Sequence, residues 1–282
     1  MANKKRSRAV LCSSCRQLIS GQEKRCPYCG AVAPGLFGLS PSLNALFRDH
    51  LDPTLALIGI SVLMYGLSLV LDPSCVDLGV HLDFGSPSGQ ALSLLGMTSG
   101  AALARGYFWT LLTASFLHGS LLHIAFNMSW MRSLGPTAIS EFGPGRAVLI
   151  TVLSGAGCFL LSDLWTGAPT IGASGAIFGL MGALLAYGKR RGGTFGAAIR
   201  RDMLYWAGLM FFMGMAMSGV NNVGHLGGFL TGLVLGFVLP YKDRQRETRL
   251  AQVGALVLLL LVVAGFVASI ATHLGSFSPG RC

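Results

Sequence analysis

Residues 171–188 read Ile-Gly-Ala-Ser-Gly-Ala-Ile-Phe-Gly-Leu-Met-Gly-Ala-Leu-Leu-Ala-Tyr-Gly, and Lys189-Arg190-Arg191 follow at once. The run carries no charge and is long enough to cross a hydrocarbon layer, which takes about 17 to 25 apolar residues. Near its start sits Ser174. A second apolar run, 223–240, begins with Gly224-His225-Leu226-Gly227-Gly228. Polar and ionisable side chains inside a span are costly unless paired, so each is a functional candidate. Together they form the smallest nucleophile-and-base pair for acyl transfer.

The rest of the chain has the same character. Of 282 residues, 52% are hydrophobic and 11% charged, and the mean hydropathy is +0.61. Soluble domains carry about 25% charged residues. Further apolar runs at 54–71, 110–134, 146–164, 203–220 and 251–273 bring the expected spans to seven. They are expected to be helices, because only helices and closed barrels satisfy the backbone in lipid and the runs are too continuously apolar for barrel strands. The fold class is therefore an all-α polytopic membrane protein.

Basic residues fix the orientation. The N-terminus with Arg48, then Arg132 and Arg146, then Lys189, Arg190, Arg191, Arg200 and Arg201, then Lys242, Arg244, Arg246 and Arg249 all fall on one side of a seven-span chain. The opposite segments hold only Arg105 and Arg281. The N-terminus is expected in the cytoplasm and the C-terminus outside. No secretory signal is expected, because a polar, cysteine-bearing segment follows Lys4, Lys5, Arg6 and Arg8; a bacterial inner membrane suits this pattern. The net charge of +10 is read as topology. No nucleic-acid partner is expected, since no basic stripe interleaves with aromatic residues.

This topology places Ser174, His225, His118, His123 and Asn127 toward the outer face. His123 and Asn127 are four residues apart, so on a helix they share a face. Gly228, Gly232 and Gly236 repeat every four residues after His225, and Gly172, Gly175, Gly179 and Gly182 enrich the serine run. Small residues at that spacing let two helix backbones approach closely, which would bring Ser174 Oγ within hydrogen-bonding range of His225. No buried acidic residue or paired charge marks an ion path, which disfavours a transporter. Glu141 and Arg146 are read as a solvated pair, and Val220-Asn221-Asn222 as a tight turn.

In order along the chain, Phe116-Leu117-His118, His123-Ile124-Ala125-Phe126-Asn127, Gly172-Ala173-Ser174-Gly175 and Gly224-His225 with its glycines resemble the rhomboid family of intramembrane serine proteases. The resemblance covers roughly residues 50–240 and implies a six-helix core, with the seventh span added after it. It implies Ser174 as nucleophile, His225 as general base, and His123, Asn127 and the Ser174 backbone N–H as binders of the oxyanion, with Phe178 packed on the histidine. Transmembrane proteins cut near the outer end of their helix are the implied substrates and the lipid bilayer the setting. A catalytically inactive helix-binding adaptor is the alternative. The family often has Trp-Arg before the second helix; here the residues are Trp109-Thr110. No acidic third member is evident, so a dyad is expected, with the imidazole oriented by packing.

Cys12-Ser13-Ser14-Cys15 and Cys26-Pro27-Tyr28-Cys29-Gly30 are two Cys-x-x-Cys knuckles of the kind that hold tetrahedral zinc. A segment this short cannot fold on a core alone. Cys12, Cys15, Cys26 and Cys29 are expected to bind one structural zinc ion; no cofactor is expected for catalysis. The expected domains are a zinc-ribbon-like segment at 1–33, a linker at 34–53, the core at 54–240, and a basic loop, last helix and outer tail at 241–282. Cys75 and Cys282 both fall outside; a pairing between them is left open, and they are read as unrelated.

Overall fold

The computed structural model describes residues 9–11, 17–20, 26–28, 52–79, 83–217, 219–241 and 247–280. The chain divides into two compact units, Met1–Asp52 and Pro53–Cys282.

In the first unit, β1 (Ala9–Leu11) pairs antiparallel with β2 (Leu18–Ser20), Ala9 opposite Ser20 and Leu11 opposite Leu18. Ile19 and Cys26 are buried. The two strands bracket Cys12-Ser13-Ser14-Cys15 in the sequence. Cys12, Cys15 and Cys29 lie outside the described residues, and among the described residues no cluster of His, Cys, Asp or Glu is arranged to hold a metal.

The second unit is helical. Its elements are α1 (Pro53–Leu71), the short α2 (Gly89–Leu94), α3 (Gly100–Ala104) and α4 (Thr110–Thr113), then α5 (Leu121–Phe142), α6 (Pro144–Trp165), α7 (Ser174–Arg191), α8 (Gly193–Ala216), α9 (Asn222–Val238) and α10 (Arg249–His273). Each of the seven apolar runs holds a helix, but two boundaries differ from expectation. The run 110–134 is not one helix. Residues Thr110–Phe116 and Leu121–Phe142 meet at 96°, because Leu117 is extended and Ser120 caps a new helix, its hydroxyl accepting from the His123 N–H at 3.2 Å. A serine N-cap satisfies one of the free N–H groups of the first turn and so starts a helix where hydropathy shows none. The basic loop expected before 203 is also helical: α8 begins at Gly193, after a turn in which Gly192 and Gly193 have φ of 71° and 63°, a region open to glycine.

Among the described residues, three helices are long and apolar enough to cross a membrane: α1, α6, and α10 with the turn that follows it; the bent pair at α5 gives a fourth if it is one span. The seven expected spans are thus only partly matched by length and composition. The reason lies in α7 to α9. Helix α7 is rich in glycine and ends in Lys189, Arg190 and Arg191, α8 carries Arg200 and Arg201, and α9 has only 17 residues. A helix enclosed by its neighbours, as α7 is, does not need a lipid-facing composition; α8 and α9 expose apolar side chains and fall short by charge and by length.

Helix α7 is the centre of the core. Ile177, Leu180, Met181 and Leu184 are fully buried, and α9, α6, α8 and α5 pack around it. The glycine stripes face each other. A methyl group on Gly232 would overlap the Gly179 carbonyl, and one on Gly236 would lie 2.7 Å from the Ala183 Cα. Outward-facing Val62, Leu63, Val70, Phe212, Leu256 and Val267 are exposed, an arrangement suited to lipid contact.

Polar ties hold the ends. The Glu247 carboxylate accepts from the N–H groups of Gly145 (2.6 Å) and Arg146 (3.1 Å), where an anion suits a helix N-terminus. Arg146 is not solvated as expected: its side chain is buried and donates to the Phe142 carbonyl at 3.2 Å. Asp163 is also buried near the end of α6, accepting from Thr98 Oγ1 at 2.5 Å, so a buried acidic residue is present after all, one of its oxygens held by a threonine hydroxyl. Trp109 donates to Ser269 Oγ of α10 at 2.9 Å and stacks on Tyr107, so the last helix braces the loop before α5. Near the end of α10 the Ser278 N–H reaches Gln90 Oε1 (3.1 Å) and the Gly280 N–H reaches Asp72 Oδ1 (2.9 Å). Cys75 is disulfide-bonded; Cys282 lies outside the described residues.

Candidate active site

Ser174 is the first residue of α7, and its side chain is partly exposed. A helix leaves the N–H groups of its first turn without intrahelical partners, and the positive end of its dipole lies there. The residues Thr170 and Gly172 fix the approach. The Thr170 N–H donates to the Thr98 carbonyl (2.9 Å) and the Gly172 N–H to the Ala114 carbonyl (2.9 Å). Gly172 has φ of 119°, where a side chain would be strained.

His225 lies in the first turn of α9, buried. Its Nε2 is 2.9 Å from Ser174 Oγ. The Phe178 ring, one turn along α7 from Ser174, stacks on the imidazole at 4.4 Å between centroids with 15° between planes. The Nδ1 is 3.1 Å from Asn222 Oδ1, a neighbour that reading 220–222 as a plain turn had missed. The signal was present: Asn222 and His225 are three residues apart, the spacing at which helix side chains meet. The adjacent Asn221 caps α9, its Oδ1 accepting from the Gly224 N–H at 2.8 Å, while its Nδ2 donates to Ser162 Oγ and, at 3.1 Å, to Thr170 Oγ1. The helix that carries the histidine is thereby tied to the strand-like segment that leads into Ser174.

His123 and Asn127 share the face of α5 turned to Gly172. A Cβ built on Gly172 would lie 2.7 Å from His123 Nε2 and 3.8 Å from Asn127 Nδ2. The Gly119 N–H points at His123 Nδ1 at 3.3 Å. An acceptor role at Nδ1 leaves the proton on Nε2, the nitrogen that faces Gly172. Asn127 is buried and its Nδ2 also reaches the His123 carbonyl at 3.1 Å. Two N–H donors therefore converge beside the start of α7. His118 is not on α5. It lies in the bend before it, fully buried and edge-on to His123 at 5.1 Å, where it supports that ring. Above the bend, Ser86 Oγ donates to the Gly119 carbonyl at 2.5 Å and the Leu121 N–H to the Phe84 carbonyl at 3.0 Å.

The site therefore joins a hydroxyl, an imidazole hydrogen-bonded to it, a stacking ring and two N–H donors, drawn from α5, α7 and α9. A base in contact with a hydroxyl can take its proton, and convergent N–H donors stabilise an oxyanion.

Comparison with known proteins agrees with this geometry. Residues 105–242 match the family model described as Rhomboid domain. The chain is 30% identical over 203 residues to the Rhomboid protease GluP of Bacillus subtilis (strain 168), covering 72% of this chain and 38% of that protein. It is 33% identical over 156 residues to RHOMBOID-like protein 4 of Arabidopsis thaliana, covering 54% and 40% respectively. It is 32% identical over 144 residues to the Rhomboid protease GlpG of Salmonella newport (strain SL254), covering 49% and 51%. The chain thus spans between 38% and about half the length of these curated relatives. The matches support a rhomboid relationship, and with the apolar helices they support an integral membrane protein.

Proposed function

We propose that this chain is a rhomboid-type intramembrane serine endopeptidase. The observation that carries the reading is the 2.9 Å contact between Ser174 Oγ and His225 Nε2, under the stacked Phe178 ring. In the first step His225 Nε2 takes the hydroxyl proton as Ser174 Oγ attacks a peptide carbonyl. The oxygen that gains charge is bound by His123 Nε2–H, Asn127 Nδ2–H and the Ser174 N–H. The imidazolium then protonates the leaving amine, and the new amine end departs. In the second step water gives a proton to His225 as its oxygen bonds to the acyl carbon; the bond to Ser174 Oγ then breaks, Oγ takes that proton back from His225, and the new carboxyl end leaves. No acidic residue contacts His225 among the described residues, so the imidazolium relies on packing and on a neutral neighbour. Single-span membrane proteins are the substrate class. A helical substrate must first expose its scissile carbonyl, so helix-weakening Gly or Pro near the cut is expected.

The orientation follows from the basic segments, with the N-terminus in the cytoplasm and Ser174 toward the other face of a bacterial inner membrane. The disulfide at Cys75 supports this, because disulfides persist in oxidising compartments. We further propose that Cys12, Cys15, Cys26 and Cys29 hold one structural zinc ion in a head at 1–33, joined by a linker at 34–53 to the core at 54–240 and the tail at 241–282. The cysteine spacing and the paired strands around the first knuckle support that assignment. Four thiolates fill the tetrahedron and leave no open position.

The test is cleavage of a model single-span protein in proteoliposomes by the wild type and by Ser174→Ala. Cleavage by the wild type alone is expected. Equal cleavage by both would remove Ser174 as nucleophile, and capture of the substrate without turnover by the wild type would identify an inactive helix-binding adaptor.

A further inference from the structure

Resting on the peptidase reading, we propose that Asn222 is a positioning residue for the catalytic base, holding the His225 proton on Nδ1 so that Nε2 is free to accept from Ser174. A histidine works as general base only in the tautomer whose lone pair faces the nucleophile, and that tautomer is set by what the other ring nitrogen bonds. Here the other nitrogen, Nδ1, is 3.1 Å from Asn222 Oδ1.

The orientation of the amide is not arbitrary. Oxygen and nitrogen of a carboxamide are distinguished by their partners. Asn222 Nδ2 donates to the Phe211 carbonyl of α8 at 3.2 Å, so the oxygen is the atom that faces His225. A carbonyl oxygen accepts and cannot donate, so Nδ1 must carry the proton. The place is built for this group: a Cβ on Gly214 of α8 would come within 2.6 Å of Asn222 Oδ1, and glycine leaves the space. The carboxamide is thus held from one side by α8 and reads the imidazole on the other. Asn222 is the first residue of α9 and His225 sits one turn on, which fixes their register.

A neutral partner has a chemical consequence. An amide oxygen orients the ring and accepts a stronger hydrogen bond once the imidazolium forms, without adding a buried negative charge beside the apolar core. Toward this end of the helices packed around His225, the titratable side chains are His123 on α5 and Cys158 and Asp163 on α6; the charged residues of α7 and α8, Lys189, Arg190, Arg191, Arg200, Arg201 and Asp202, lie toward their other ends. Cys158 packs against Gly175, and Asp163 is engaged by Thr98.

The test measures kcat, KM and the acid limb of kcat/KM for purified wild type, Asn222→Ala and Asn222→Asp on a single-span substrate in proteoliposomes. Asn222→Ala is expected to lower kcat by about 10- to 100-fold with KM little changed, by analogy with the range found when the partner that orients a metal-binding histidine is removed. Asn222→Asp keeps an acceptor toward Nδ1 and is expected to retain most of the kcat at the alkaline plateau. Its carboxylate favours the imidazolium, and His225 must be neutral to act, so the acid limb is expected to move up by about one pH unit. A purely structural role predicts otherwise, because both variants lose the bond to the Phe211 carbonyl: they would be impaired alike, with the limb unmoved. That result, or Asn222→Ala at the wild-type kcat, overturns the proposal. If Asn222→Ala does not fold, the limb of Asn222→Asp decides alone. A wild type that neither cleaves nor is labelled by a fluorophosphonate removes the peptidase reading and this one with it; an active wild type with an unmoved limb in Asn222→Asp removes only the role of Asn222.

Discussion

The α7–α9 pair is tied at both ends, and the ties are of opposite kinds. At the basic end Arg190 of α7 donates to the carbonyls of Gly236 (2.7 Å) and Leu239 (2.6 Å) at the close of α9 and lies over the Tyr241 ring. At the other end Ser174 Oγ meets His225 Nε2 at 2.9 Å. The guanidinium is always charged and has no proton to give at any ordinary pH; it meets the unpaired carbonyls of a helix C-terminus, which favour a cation. The hydroxyl and imidazole are neutral and share a proton that can move. Between them the facing glycines bring the two backbones together. One scaffold thus spends its fixed charge on holding the helices and keeps its movable proton for chemistry. Separating the two ends by mutation should separate folding from turnover.

The largest effect is expected at the serine end. His225→Ala, like Ser174→Ala, should lower kcat by about 10⁴-fold or more, since nucleophile and base act as a unit, while the melting temperature in detergent stays near that of the wild type. A thermal melt alongside the cleavage assay checks both halves. Asn127→Ala comes next, with a loss of about 10²–10³-fold in kcat, the cost of one oxyanion donor. It should leave residual activity that Ser174→Ala does not, because His123 and the backbone N–H remain.

The middle of the pair should respond in stability. Gly232→Val forces a side chain into the Gly179 carbonyl and should cost about 3 kcal/mol, at the upper end for overpacking, read as a lowered denaturation midpoint with activity falling in step. At the basic end Arg190→Ala should cost about 1 kcal/mol and leave kcat per folded molecule unchanged. If it lowered kcat as strongly as it lowered stability, the two ends would not be separable. The smallest effect is expected for removal of residues 1–35. Cleavage in detergent should persist, and zinc, measured as about one per full-length chain, should disappear with the segment.

Much of the site was legible because its signals are local spacings. The intervals between His123 and Asn127, between Ser174 and Phe178, and along the glycine stripe after His225 are helix-face intervals, and each pair lies on a single helix. What was not legible was backbone-dependent. Residues 110–134 stay apolar through the bend, so a hydropathy run cannot show that Ser120 starts a new helix; only its pairing with the His123 N–H does. Arg146 looked solvated because burial and a bond to a backbone carbonyl are not announced by a pattern of charges. Asn222 was passed over for the same reason: its carboxamide is aimed by the Phe211 carbonyl. The cysteine head remains a reading of spacing, since Cys12, Cys15 and Cys29 fall outside the described residues.

The central claim is that Ser174 is made nucleophilic by His225. A fluorophosphonate probe reacts with a serine hydroxyl only when a base activates it, and it needs no knowledge of the natural substrate. Incubation of the purified protein in detergent, followed by peptide mapping, should place the label on Ser174 in the wild type and give no label in Ser174→Ala or His225→Ala. Labelling of His225→Ala at the wild-type rate, or no labelling of a folded wild type, would contradict it.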